Sequence, residues 1–90
     1  MTFMHAVMFR VNIKDREAAE KFLKDELVPM VSRAPGFVSG HWVNVGGDKG
    51  RSMAIFESED SAKQAAERAQ PPEAAVEVEH VEIGEVIASA

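Results

Sequence analysis

The chain has 90 residues and no cysteine, a length suited to one domain and a composition that excludes disulfides, thiolate metal sites and cysteine nucleophiles. With 46% hydrophobic and 28% charged residues it suits a folded domain, and a net charge of -5 without any Lys/Arg cluster argues against nucleic acid as a partner. No run nears the roughly 20 apolar residues of a membrane span. The apolar start Met1-Thr2-Phe3-Met4-His5-Ala6-Val7 lacks a basic flank and stops at Arg10, so neither membrane anchor nor signal peptide is expected, and the expected location is cytoplasmic.

Residues 3–11 alternate as a strand with Phe3, His5, Val7, Phe9 and Val11 on one face and Met4, Ala6, Met8 and Arg10 on the other. Both faces are mostly apolar, as in a central strand covered on both sides. Asp15 is placed to cap a helix, with Glu17 in its first turn. Ala19, Phe22, Leu23, Leu27, Met30 and Val31 then form one apolar stripe. Pro29 removes a backbone donor, so a kink or a short second segment to about Arg33 is expected, ended by Pro35-Gly36.

Residues 37–45 alternate again, with Phe37, Ser39, His41, Val43 and Val45 on one face and Val38, Gly40, Trp42 and Asn44 on the other. Gly46 to Gly50 reads as a hairpin loop and residues 52–57 as the returning strand. Ser58 is a good N-cap for a helix whose Ala62, Ala65, Ala66 and Ala69 share a small-residue face, and Pro71-Pro72 stops it. Residues 76–88 form a last strand whose apolar phase slips near His80, the mark of a β-bulge.

The order β-α-β-β-α-β predicts an α+β, ferredoxin-like single domain over residues 1–90, a four-stranded antiparallel sheet with both helices on one face. Val7, Phe9 and Phe56 are expected not to lie all under the helices. The resulting apolar open face calls for a partner, and two such sheets packed face to face would make a homodimer with an enclosed cavity.

The run Ala34-Pro35-Gly36-Phe37-Val38-Ser39-Gly40, and Phe56-Glu57-Ser58-Glu59-Asp60 opening the second helix, resemble dimeric α/β-barrel proteins, antibiotic-biosynthesis-monooxygenase-like domains above all. The resemblance runs from about Met4 to Val86. It implies a dimeric α/β barrel and activities that include cofactor-free, quinone-forming oxygenation. Haem-degrading relatives carry a tryptophan where Phe56 stands, an asparagine where Phe9 stands, and an iron-ligating histidine beyond the second helix. Ala65 to Glu73 holds no histidine, so haem degradation is not expected.

His5 and His41 are the candidate catalytic groups, since imidazole exchanges protons near neutrality. For His5 the alternative is a hydrogen-bonded strand-end histidine at the dimer seam. His41 and Trp42 are adjacent and point to opposite faces. Val7, Phe9, Trp42 and Phe56 are the candidate substrate-binding residues, and His80 is read as exposed. No histidine pair has metal-ligand spacing, so no metal and no cofactor is expected. Gly46 to Gly50 lacks the order of a phosphate loop and precedes a strand. Two functions stay open: a small-molecule-binding dimer acting as a cofactor-independent monooxygenase on an aromatic or polyketide-like substrate, and a non-catalytic structural or ligand-sensing dimer.

Overall fold

The computed structural model describes residues 3–90, so Met1 and Thr2 of the apolar N-terminal run lie outside the described residues. The elements are β1 (His5–Ile13), α1 (Arg16–Phe22), a π-helical turn (Leu23–Leu27), α2 (Val28–Ser32), β2 (Phe37–Gly46), β3 (Lys49–Phe56), α3 (Glu59–Arg68) and β4 (Val76–Glu85). The strands form one antiparallel sheet in the order β2-β3-β1-β4, the ferredoxin-like arrangement predicted from the pattern.

Local chemistry explains the boundaries. The Asp15 carboxylate accepts from the Ala18 amide at 3.1 Å and the Ser58 hydroxyl accepts from the Ser61 amide at 3.1 Å. Each satisfies an amide that the first helical turn leaves free, worth about 1 kcal/mol. The expected break at Pro29 takes the form of the π turn: the Val28 amide reaches back five residues to the Leu23 carbonyl, just before the residue that has no amide hydrogen to offer. The wider turn rotates α2 about its axis, which places Met30 outside the buried stripe at 39% exposure while Val31 stays buried. The hairpin is tighter than expected. β3 begins at Lys49, and Gly46 and Gly47 turn the chain with φ of 125° and 54°, where a side chain would be strained.

Pairing in register puts His5, Val7, Phe9 and Val11 of β1 opposite Phe56, Ala54, Ser52 and Gly50 of β3, and Ile13 opposite Val76 of β4, on the helix-covered face. The expectation that Val7, Phe9 and Phe56 could not all lie under the helices is therefore corrected. Val7 and Phe56 are buried beneath Val31 and Ala62, and Phe9 packs against the same cluster. The reason is size matching. Alanines 62, 65 and 66 let α3 lie close, and the large side chains of the sheet fill the space beneath. Phe37 is corrected too. A register shift between Phe37 and Ser39 turns its ring onto the helix side, where it meets Phe56 edge-on with centroids 5.7 Å apart.

The opposite face of the sheet carries Met8, Val43, Met53 and Ile55, and no element among the described residues covers it. Val43 and Met53 are 52% and 46% exposed. On this face Arg10 stands opposite Arg51 and next to His80. The bulge expected near His80 is present, as the register of β1 with β4 shifts between Arg10 and Val11. β4 is an edge strand, exposed along most of its length and rich in glutamate. No helix among the described residues is long and apolar enough to cross a membrane.

Candidate functional site

Between the sheet and the helices lies a partly open, mostly apolar cavity of about 180 Å³. Val7, Phe9, Trp42 and Phe56 rise into it from three strands, and Leu27 and Val31 close it from the helical side. Arg16, Glu20, Asn44, Arg51 and Ser52 are the polar residues of its wall. The cavity is smaller than the roughly 300–1,000 Å³ that drug-sized ligands occupy. It matches an apolar hole of about 150 Å³, which is known to admit benzene. It has room for a single ring.

The cavity brings together the four residues expected to bind substrate but neither candidate catalytic histidine. His5 belongs to the same sheet face and stands at its end. Its Nδ1 lies 3.0 Å from the Phe3 carbonyl and its Nε2 3.4 Å from Glu59 at the start of α3. His41 lies on the uncovered face, in a broad depression of about 400 Å³ with Met8, Arg10, Met53 and Glu82. His80 is exposed and contacts Glu82 at 2.8 Å. Among the described residues no group of three His, Asp or Glu side chains is placed to hold a metal ion.

The charges nearest His5 are engaged with one another. Lys63 donates to Glu59 at 2.9 Å. The hydrogen bond and charge of Lys63 hold the Glu59 carboxyl below its usual 4.5, with a smaller contribution from His5, and Glu59 in turn raises Lys63. Stability from Glu59 is complete above the ordinary carboxylate range and is lost as the pH falls through its lowered folded value. The pair is open to water and solvent-screened.

Two residues that shape the site, one in its wall and one beneath the Trp42 ring, escape sequence reasoning. Ser52 is not a visible candidate because serine in a strand carries no motif. Its signal is its register position, opposite both Phe9 and Trp42 on the covered face. Gly40 is the second. A Cβ there would come within 2.9 Å of the Trp42 ring, so the indole lies over a position that must stay bare.

This sheet order, with its helices on one face, is the ferredoxin-like fold, and the solved structures that resemble the chain share it. No family model and no curated protein matches the chain. Among solved structures it is similar to SnoaB, a cofactor-independent oxygenase from Streptomyces nogalater, with a TM-score of 0.72 at 17% identity over 99% of this chain and 96% of that one. It is similar to MupZ from Pseudomonas fluorescens, with a TM-score of 0.71 at 16% identity over 92% of this chain and 68% of that one. The heme-degrading protein Rv3592 from Mycobacterium tuberculosis gives 0.59 at 19% identity over 99% and 98%. At these identities the likeness is one of fold.

Proposed function

We propose that the chain is a small-molecule-binding protein that works as a homodimer, takes an aromatic or polyketide-like ring in the cavity beneath its helices, and catalyses its cofactor-independent oxygenation. The observation that carries the reading is the cavity itself. Good packing normally leaves few voids larger than a water molecule. This one has Phe9, Trp42 and Phe56 in its sheet-side wall, which suits a flat ring. The fold shared with SnoaB supports the oxygenase step. Oxidation of a ring CH₂ by dioxygen balances without a reductant: CH₂ and O₂ give C=O and H₂O. One oxygen atom enters the product and the other leaves as water.

Phe9 and Trp42 contact the ring in this reading, and the buried Val7 and Phe56 stand behind them in the substrate-binding wall. Neither His5 nor His41 reaches it, so the substrate is one acidic enough to enter as its anion. The lack of a histidine in the wall favours a second reading, a non-catalytic ligand-sensing dimer.

Trp42 is the only tryptophan and stands in the cavity wall, so its emission reports on occupancy. Titration with phenol or 4-fluorophenol should change that emission saturably, and oxidation of phenol to its quinone should draw oxygen at an electrode. Binding without oxygen uptake supports the sensing dimer. If no one-ring aromatic perturbs Trp42, both ligand readings fall.

The dimer is proposed from the uncovered face. Exposed Val43 and Met53 are large apolar residues on a sheet face that no element among the described residues covers. Light scattering at micromolar concentration should give twice the chain mass of 9.8 kDa, and Met53→Lys should return it to the single-chain value. A parent protein that runs as a monomer at high concentration would rule the dimer out.

A further inference from the structure

The polar residues of the cavity wall differ in what they have left to give. The Asn44 amide is spent on the hairpin: its Nδ2 donates to the Gly47 carbonyl at 3.1 Å and its Oδ1 accepts from the Gly46 amide at 2.8 Å. Arg16 donates through Nε to Glu20 at 3.2 Å and lies mostly in water, and Arg51 donates to the Gly50 carbonyl at 2.8 Å. The Trp42 indole and the Ser52 hydroxyl have no such engagement. Among the described residues neither makes a side-chain hydrogen bond. Nor is either an orphaned buried group, since no buried polar side-chain atom among the described residues lacks a partner. Both are half-buried and open to accessible space.

They are also neighbours. Trp42 and Ser52 are paired across β2 and β3 on the covered face, and Ser52 is paired with Phe9 across β3 and β1. Side chains directly opposite on one face stand about 5 Å apart at Cβ. An indole N–H can only donate, and a hydroxyl can donate as well as accept. Two donors facing one apolar space suit an atom with two lone pairs, which is a carbonyl or phenolate oxygen.

We propose that Trp42 Nε1 and Ser52 Oγ together receive a ring-borne oxygen, and that they select phenols and ring ketones over bare hydrocarbons of the same shape. The inference rests on the cavity reading above and narrows its ligand class. The wall is mostly apolar, so a ligand that displaces water from both donors without carrying an oxygen leaves them unmet. That penalty, more than attraction, sets the preference.

The test is ¹⁹F NMR titration of the full chain with 4-fluorophenol and fluorobenzene. The parent should bind the phenol about tenfold more tightly, the effect of one to two hydrogen bonds. Ser52→Ala should bring the two probes within about twofold of each other while fluorobenzene affinity is kept, and Ser52→Thr should restore the preference. Trp42→Phe should act in the same direction. If the parent binds both probes equally, or Ser52→Ala keeps the full preference, the donor pair is wrong and the cavity reading stands. If neither probe binds, the cavity reading falls and takes this inference with it. Retained fluorobenzene binding by Ser52→Ala separates a lost contact from a lost fold, so the outcome does not depend on Trp42→Phe being stable.

Discussion

Phe56→Ala is expected to be the most damaging single substitution in the chain. Phe56 is fully buried, at 0% exposure, and it touches the core from the last residue of β3, beneath Ala62 and edge-on to Phe37. Removing a buried phenyl ring costs about 3–5 kcal/mol, because the lost transfer energy is joined by the cavity left behind. A domain of this size holds only about 5–13 kcal/mol in total at roughly 0.05–0.15 kcal/mol per residue. At roughly 4–8 °C per kcal/mol, the midpoint of thermal unfolding should fall by at least about 12 °C. Val45→Ala, on a side chain 56% exposed near the hairpin, should stay within about 0.5 kcal/mol of the parent. Equal melting curves for the two variants would show that the core is not organised around Phe56.

Gly40→Val should damage the site more than the fold. A Cβ at this position meets Cη2 of Trp42 at 2.9 Å and Cζ3 at 3.1 Å, with Phe37 at 3.5 Å behind. The indole is a rigid plate and has to swing away as a whole. Overpacking of this kind costs about 1–3 kcal/mol. The larger effect is on the cavity, because the displaced ring is part of its wall. Affinity for a phenolic ligand should drop at least tenfold, about 1.4 kcal/mol, and Trp42 emission should shift toward longer wavelength as the ring meets water. Unchanged emission and affinity would mean that the indole does not depend on Gly40 for its seat.

Much of the scaffold is legible in the residues. Asp15 and Ser58 announce their helices because a side-chain oxygen that reaches back to an amide is a local event. The hairpin comes from glycines that alone accept positive φ. The bulge is written in the apolar phase of β4, which slips by one residue and has no other simple cause. The choice of face is not legible. Alternation separates Val7 and Phe9 from Ala6 and Met8, yet both sets are apolar, and nothing local says which one the helices cover. The alanines of α3 hold the answer, through their fit to the large rings of the sheet, and that fit is a long-range property. Phe37 is misplaced by the same limit, since its register shift depends on how β2 meets β3. The candidate site inherits these gaps. Val7, Phe9, Trp42 and Phe56 are named from the sequence, but Ser52 becomes visible only once three strands are in register.

The edge strand β4 bears on how this chain behaves in a crowd. An unpaired edge is a template on which a second extended chain can add by backbone hydrogen bonds. Here that edge carries Glu77, Glu79, Glu82 and Glu85 between Val76, Val78, Val81 and Ile83. A second copy laid along the first in register would stack its carboxylates at the roughly 4.8 Å spacing of a growing fibril, and like charges that close repel. At neutral pH the glutamates therefore act as a fence around the β-branched residues Val76, Val78, Val81 and Ile83. Acidification takes the fence down without touching a single apolar contact of the fold, so the chain is best kept from aggregating by storage well above the carboxylate range.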